Sequence, residues 1–161
     1  MEWIVERDYA REALPKRDPE GHKGSFGEVL ALAGSAGYTG AAWLTAEGAV
    51  RGGCGLVHLG VPEDIWPVEA VKCTSAMPFP LAAKDGGLAL GALEGIREKL
   101  SRCDVLALGP GLGRRAETAE LVRRLLAETG KSVVLDADGI NALAGHIDIL
   151  DGRRGRVTVL T

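Results

Sequence analysis

The chain has 161 residues, of which 25% are charged and 46% are hydrophobic, and its formal net charge is −3. This length and composition favour one folded domain over residues 1–161 and exclude a globally disordered chain. The small negative charge argues against the basic face that nucleic-acid-binding proteins carry, so we expect no nucleic-acid partner.

The N-terminal region predicts a helix followed by a polar arm. The helix covers residues 2–14 and ends at Pro15, and the arm continues to residue 24. We therefore treat residues 1–24 as a lead-in to the rest of the domain. The expected apolar anchors of this helix are Trp3, Ile4, Tyr9 and Leu14.

From residue 28 onward, short apolar runs alternate with helical patterns. The clearest helix covers residues 114–129, where Leu121, Val122, Leu125 and Leu126 form one apolar face. The apolar runs are continuous, which is typical of parallel strands that are buried on both sides. We therefore predict an α/β protein with a mostly parallel sheet, helices on both faces and a three-layer, Rossmann-like arrangement. The predicted strands are 28–33, 55–61, 74–79, 104–108, 132–135 and 156–160, and the further predicted helices are 41–50, 88–101 and 139–144.

The sequence also predicts a cytoplasmic protein with no membrane partner. A cluster of glycine and hydroxyl-bearing residues interrupts its longest uncharged stretch, residues 29–46, and the mixed-charge N-terminus has no signal-peptide pattern. Three widely spaced cysteines fit neither a disulfide framework nor a zinc knuckle, so we expect reduced thiols. The three histidines show no spacing typical of a catalytic triad or a zinc site. These residues are Cys54, Cys73, Cys103, His22, His58 and His146.

Two glycine-rich loops, residues 34–41 and 109–113, each follow a predicted strand and precede a predicted helix. Glycine lets the backbone approach a ligand closely, and a helix N-terminus offers free N–H groups to an anion. The carboxyl ends of parallel strands meet at one edge of a sheet, so we expect both loops to border one crevice. The glycine spacing of the first loop fits neither the dinucleotide fingerprint nor a Walker loop, and tight turns that bind nothing are the alternative.

A few charged residues are candidates for contacts with a phosphate or a metal ion. Asp136 ends a predicted strand and would point at the crevice, whereas Asp138 is more simply explained as the N-cap of the next helix. Arg114 and Arg115 begin a helix, where a bound phosphate would relieve their repulsion from the helix dipole, although exposed arginines need no such explanation. Lys23 beside a glycine is either a phosphate contact or a solvated lysine.

Six motifs follow one another in a specific order from about residue 20 to Thr161. They are residues 22–27, 32–35, 38–42, 51–57, 108–113 and 135–143. Each motif alone is weak, but the ordered set resembles the ADP- or ATP-dependent NAD(P)H-hydrate dehydratases of the ribokinase-like superfamily. The resemblance covers nearly the whole chain.

The resemblance implies a ribokinase-like enzyme that repairs a nicotinamide cofactor, a carbon–oxygen lyase. Such enzymes remove water from the S epimer of hydrated NADH or NADPH, and they use ADP or ATP with Mg²⁺ to phosphorylate the ring hydroxyl before phosphate leaves. The family's substrate contacts match Ala41, Gly111 and Gly113 of this chain, and the family favours a homo-oligomer. The candidate phosphate or metal vicinity comprises Gly40, Asp136 and Lys23.

The sequence also departs from the family pattern. In the family, the strand that matches residues 157–161 is followed by a His-Pro-Gly-Glu segment and later by a Gly-Thr-Gly-Asp loop, which binds the nucleotide phosphates and supplies the general base. Neither segment occurs in these 161 residues. We therefore expect the N-terminal part of a dehydratase domain, with an unpaired sheet edge, no assigned metal ligand and no identified catalytic residue. The alternatives are a small-molecule kinase of the same superfamily and a non-catalytic cofactor-binding fragment.

Overall fold

The computed structural model describes residue 4 and residues 6–161, and its centre is a six-stranded parallel sheet. The strand order is β3-β2-β1-β6-β7-β8, and a separate two-stranded hairpin pairs β4 with β5 antiparallel. The strands are β1 Glu28–Leu32, β2 Leu56–Pro62, β3 Met77–Leu81, β4 Ala83–Lys84, β5 Gly87–Leu88, β6 Val105–Leu108, β7 Ser132–Leu135 and β8 Thr158–Leu160.

Helices cover both faces of the sheet, which confirms the predicted fold class. The helices are α1 Arg7–Ala13, α2 Thr39–Arg51, α3 Trp66–Lys72, α4 Leu93–Ser101, α5 Ala116–Glu128 and α6 Asp138–Asn141, with short 3₁₀ helices at Lys23–Phe26, Leu90–Ala92 and Ile147–Arg153. Buried residues of α4 and α5 pack on one face, and those of α2 pack on the other. Among the described residues, each helix is too short or too polar to cross a lipid bilayer.

The alternation of side chains along β1 separates two cores. Leu30 and Leu32 face α4 and α5 and belong to a core of large leucines, whereas Ala31 and Ala33 face α2. The alanines allow α2 to approach the sheet closely, and their α2 partners, Ala42 and Ala46, are equally small and fully buried. The alternation of leucine and alanine in β1 therefore determines how closely a helix can pack on each face of the sheet.

The two edges of the sheet differ. At one edge, β3 carries Pro78 and Pro80, which an edge strand tolerates because one side of its backbone needs no partner. At the other edge, β8 is three residues long, and Val159 is 44% exposed. On the face that α2 covers, Ala107, Val134 and Val159 lie side by side across β6, β7 and β8. The first two are only partly buried and the third is exposed, so apolar surface is open to solvent at this edge.

Several element predictions need correction. The helix predicted over 88–101 begins only at Leu93, because the preceding residues form β5 and a 3₁₀ turn, and the strand predicted over 74–79 lies at Met77–Leu81. Helix α3 and the β4–β5 hairpin were not predicted. The hairpin has a recognisable signal, because Asp85 and Gly86 both adopt positive φ, at 52° and 73°, as a two-residue Asp-Gly turn requires.

The N-terminal helix does not pack as predicted. It covers Arg7–Ala13 and contributes no buried residue to the core. The proposed anchors Ile4, Tyr9 and Leu14 are 82%, 47% and 68% exposed, so their anchoring role is wrong, while Trp3 lies outside the described residues. The arm is attached further along, where the Arg17 guanidinium donates to the Gly53 carbonyl at 2.8 Å and stacks on Phe26.

Candidate functional site

The two glycine-rich loops touch each other at the carboxyl edge of the sheet. The Gly34 N–H donates to the Pro110 carbonyl at 2.8 Å, and the Ser35 hydroxyl donates to the Gly111 carbonyl, also at 2.8 Å. The first loop follows β1 and the second follows β6, and these strands are parallel neighbours. The loops therefore border one crevice, at the place where open α/β sheets bind their ligands.

Glycine at position 111 is required by this contact. Gly111 has φ of 68°, and a Cβ there would lie 2.7 Å from the Ala41 Cβ and 3.0 Å from the Tyr38 Cβ. The structure thus brings Ala41 and Gly111 together, two of the residues that the family resemblance selects. Gly40 is next to them in the first turn of α2, and a Cβ there would meet no atom within 4 Å, so this position is open to a ligand.

A third loop, after β7, completes the edge of the crevice. Gly109 packs so closely on this loop that a Cβ would overlap the Asp136 carbonyl oxygen, which also accepts the Gly139 N–H at 2.9 Å. The half-buried Asp136 carboxylate has no hydrogen bond or ion pair within the described part of the chain. The next residue, Ala137, adopts φ 48° and ψ −114°, a strained conformation for alanine that the surrounding contacts must maintain.

Asp138 does not cap helix α6 as predicted, because Ala137 occupies the N-cap position. The sharp backbone turn places Asp138 inside the first helical turn and directs its carboxylate to the second loop. One carboxylate oxygen accepts the Gly113 N–H at 2.9 Å, and the other accepts the Asn141 amide and lies 3.8 Å from the Arg114 Nε. Asp138 therefore ties two loops together, and its charge is already satisfied.

A cleft of about 690 Å³ opens beside these loops. Two arginines give it positive charge, and an exposed tyrosine ring, 60% accessible, provides a flat apolar wall. The volume is that of a small-molecule site, and the guanidinium groups suit a phosphate-bearing ligand. The lining residues are Tyr38, Gly113, Arg114, Arg115 and Asp138.

The sequence placed Tyr38 and Ser35 in the first glycine-rich loop without giving either an individual role. Tyr38 is the residue before α2, and an exposed aromatic side chain in a glycine-rich loop was the available signal. Ser35 is fully buried and donates to the Gly111 carbonyl of the second loop, a contact 76 positions away along the chain. The β4–β5 hairpin also supports the first loop, because the Ala36 N–H donates to the Gly86 carbonyl at 2.8 Å.

Lys23 does not join this site. It begins the 3₁₀ helix that precedes β1, and its carbonyl packs against Gly55 just before β2. These positions are at the amino ends of the strands, whereas the glycine-rich loops follow the carboxyl ends. The full length of the sheet therefore separates Lys23 from the crevice.

The sequence is similar to proteins that act on hydrated NAD(P)H. A family described as NAD(P)H-hydrate dehydratase matches residues 29–161. The bifunctional NAD(P)H-hydrate repair enzyme Nnr of Moorella thermoacetica is 43% identical over 148 residues, which cover 91% of this chain and 28% of that protein. The ADP-dependent (S)-NAD(P)H-hydrate dehydratase of Streptococcus pneumoniae is 30% identical over 136 residues, covering 84% of this chain and 44% of that protein.

Solved structures agree on the fold. A ribokinase-like superfamily protein from Enterococcus faecalis superposes with a TM-score of 0.74 at 21% identity, covering 88% of this chain and 47% of that one. An ADP/ATP-dependent NAD(P)H-hydrate dehydratase from Bacillus subtilis, co-crystallised with ATP and Mg²⁺, gives a TM-score of 0.62 at 30% identity over 82% of this chain and 44% of that one. This chain spans 28% of the length of the bifunctional relative from Moorella thermoacetica. The sequence match and the shared fold establish that the chain belongs to the NAD(P)H-hydrate dehydratase family.

Proposed function

We propose that this chain forms the substrate-binding part of an enzyme that dehydrates the S epimer of hydrated NADH or NADPH. The observation that carries the proposal is the contact between the two glycine-rich loops, through Gly34 to Pro110 and Ser35 to Gly111, each at 2.8 Å. This contact joins the loops beside a cleft in which Tyr38 offers an apolar wall and two arginines offer positive charge, features that suit a phosphate-bearing cofactor. In this role, Ala41, Gly111 and Gly113 border the hydrated nicotinamide.

We also propose that the reaction uses ADP or ATP with Mg²⁺. The names of two relatives specify ADP or ATP, and one solved relative was co-crystallised with ATP and Mg²⁺. The unpaired carboxylate of Asp136 fits a Mg²⁺ ion that takes its other oxygen ligands from water and phosphate. Bound there, Mg²⁺ would neutralise phosphate charge, and Arg114 and Arg115 supply positive charge at the neighbouring cleft.

The general base is not assigned to any residue of this chain.

We propose a cytoplasmic homo-oligomer in which residues 1–161 belong to one domain and residues 1–24 lead into it. The open apolar surface beside β8, where Val159 is 44% exposed, supports association with further protein surface.

Binding of the hydrated cofactor tests the substrate assignment. Ala41→Leu places a larger side chain against Gly111, so we expect calorimetry to show at least roughly tenfold weaker binding of hydrated NADPH, about 1.4 kcal/mol. Ala127→Leu makes the same change at an exposed position of α5 and should leave the affinity unchanged. Absence of binding to the unaltered chain, or equal effects of the two substitutions, would contradict the proposal.

An activity assay distinguishes a dehydratase from a small-molecule kinase and from a non-catalytic binding fragment. A dehydratase restores the absorbance of the reduced nicotinamide and releases phosphate when ADP or ATP and Mg²⁺ are added. A small-molecule kinase would accumulate a phosphorylated product instead. Binding of hydrated cofactor without either signal would identify this chain as a non-catalytic binding fragment.

A further inference from the structure

A histidine, a cysteine and a glutamate meet at the amino edge of the sheet, far from the glycine-rich loops. Glu28 begins β1, His58 lies in β2, and Cys103 lies between α4 and β6. Their ligating atoms all lie within 4.8 Å of one another. The proposed dehydratase function uses none of these side chains.

Strand pairing produces the first part of this arrangement. His58 is paired in register with Leu30, and residues 28 and 30 share a face of β1, so Glu28 and His58 both point to the side of α4 and α5. Their side chains are mostly buried, with 27% and 16% of their surface accessible. The His58 Nε2 lies 3.6 Å from a Glu28 carboxylate oxygen, too far for a good hydrogen bond.

Backbone contacts hold the cysteine against this pair. The Asp104 N–H donates to the Glu28 carbonyl at 2.8 Å, and the Glu28 N–H donates to the Asp104 carboxylate at the same distance. This reciprocal pair fixes Cys103, the adjacent residue, which is fully buried and forms no disulfide. Its thiol donates to the Lys99 carbonyl at 3.4 Å, a contact that a metal ion would replace. Strand pairing and these backbone contacts therefore bring the three side chains together without a bound ion.

The spacing is close to that of a zinc centre. Around a tetrahedral Zn²⁺ with bonds of about 2.0–2.3 Å, ligand atoms lie roughly 3.3–3.7 Å apart. The distance of 3.6 Å between His58 and Glu28 already falls in this range. A side-chain adjustment of about 1 Å brings the Cys103 sulfur to the same separation.

The donor set favours a borderline-soft cation over Mg²⁺ or Ca²⁺. Thiolate and imidazole are ligands for Zn²⁺, whereas Mg²⁺ and Ca²⁺ select oxygen donors. One thiolate and one carboxylate balance the charge of a divalent ion. Two lysines near the group keep their positive charge, although Lys99 lies over the Phe79 ring at 5.1 Å and Lys131 donates to the Ser101 carbonyl.

We propose that Glu28, His58 and Cys103 form a Zn²⁺ site that joins β1, β2 and the connection between α4 and β6, with a water molecule as fourth ligand. Binding exchanges the S–H bond of Cys103 for an S–Zn bond and releases one proton to solvent. Partial exposure of Glu28 and His58 gives the ion access from solvent. Because the site is remote from the crevice, the proposal is independent of the dehydratase function.

The test titrates the untagged chain with Zn²⁺ in competition with a chelator, and with Co²⁺ as an optical probe. We expect one equivalent of Zn²⁺ to bind, the melting temperature to rise, and Co²⁺ to produce a thiolate charge-transfer band that neither Mg²⁺ nor Ca²⁺ abolishes. The double variant Cys54→Ala/Cys73→Ala retains only the Cys103 thiol and should behave like the unaltered chain. Cys103→Ala should abolish the Co²⁺ band.

Two further variants keep the test decisive if Cys103→Ala does not fold. His58→Gln and Glu28→Gln change partly exposed side chains, and each should weaken Zn²⁺ binding by at least roughly tenfold. Retention of full affinity in either variant would overturn the proposal. So would a Co²⁺ band that disappears in the Cys54→Ala/Cys73→Ala variant, or the absence of any stoichiometric Zn²⁺ binding.

Discussion

Arg153 shows how one buried charge can organise several elements. Its side chain is 3% exposed and, among the described residues, has no carboxylate partner. Instead it donates to the carbonyls of Leu126, Thr129 and Lys131 and to the Thr158 hydroxyl. The carbonyls near the end of α5 lack helical partners and carry partial negative charge, which a guanidinium satisfies.

Replacing this guanidinium should cost much of the domain's stability. We expect Arg153→Met to lower the free energy of unfolding by roughly 3–5 kcal/mol, because several buried carbonyls lose their donor at once. Urea denaturation measures the change. Arg154→Met removes a neighbouring arginine whose ion pair with Asp151 is exposed, and should cost less than about 0.5 kcal/mol. Similar losses in both variants would contradict the role given to Arg153.

Gly111 tests the contact between the two loops. Gly111→Ala adds a Cβ to a backbone with φ of 68° and drives it against Ala41, whereas Gly145→Ala meets no atom within 4 Å at φ of 76°. Both variants lose about 1 kcal/mol from backbone strain, and we expect a further loss of about 1–2 kcal/mol only for Gly111→Ala. Thermal and urea unfolding of the pair separate the two contributions, and equal stability of the variants would show that the loops are not tightly packed.

At the scale of secondary structure, local patterns predicted most elements and missed those that depend on partners. Helix α5 was predicted from its apolar face, and Leu121, Val122, Leu125 and Leu126 are indeed buried. Helix α3 was missed because its seven residues contain too few turns to show periodicity. The start of α4 was misplaced because residues 87–88 form the second strand of the hairpin and the turn at residues 90–92 packs on α5. These long-range contacts leave no local pattern in the sequence.

Glu117 connects three of these elements and gives the domain a pH-dependent contribution. Its carboxylate accepts the Leu90 N–H at 3.0 Å and pairs with Lys84 at 3.4 Å, so α5 holds both the 3₁₀ turn and β4. The hydrogen bond from Leu90, and then Lys84, lower the pKa of Glu117 below its ordinary value of 4.5. A group whose pKa is lower in the folded state stabilises it above the unfolded pKa, and this contribution disappears as the pH falls through the folded pKa.

We therefore expect Glu117→Gln to flatten the acid side of the stability profile. Between pH 6 and pH 3, the free energy of unfolding should fall less in this variant than in the unaltered chain, since the Gln side chain does not titrate. Lys84→Met keeps the Leu90 contact and should give an intermediate slope. Urea denaturation across this pH range provides the measurement, and an unchanged slope in Glu117→Gln would show that the contact adds nothing.

At the scale of the whole molecule, the parallel sheet places its two candidate sites at opposite ends. The glycine-rich loops follow the carboxyl ends of β1 and β6, and the group of Glu28, His58 and Cys103 lies at the amino ends. The sheet has two cores of unequal size, and its surface beside β8 is open to solvent. The two candidate sites therefore have no side chain in common.

The alternation of strands and helices, the parallel class and the glycine-rich loops all follow from local sequence, because periodicity and turn chemistry depend on residues close together in the chain. The family could also be identified from its ordered motifs. The crevice contacts, the role of Asp138, the remote position of Lys23 and the group around Cys103 depend instead on strand order and register. Those properties join residues that are tens of positions apart, so no local spacing could reveal them.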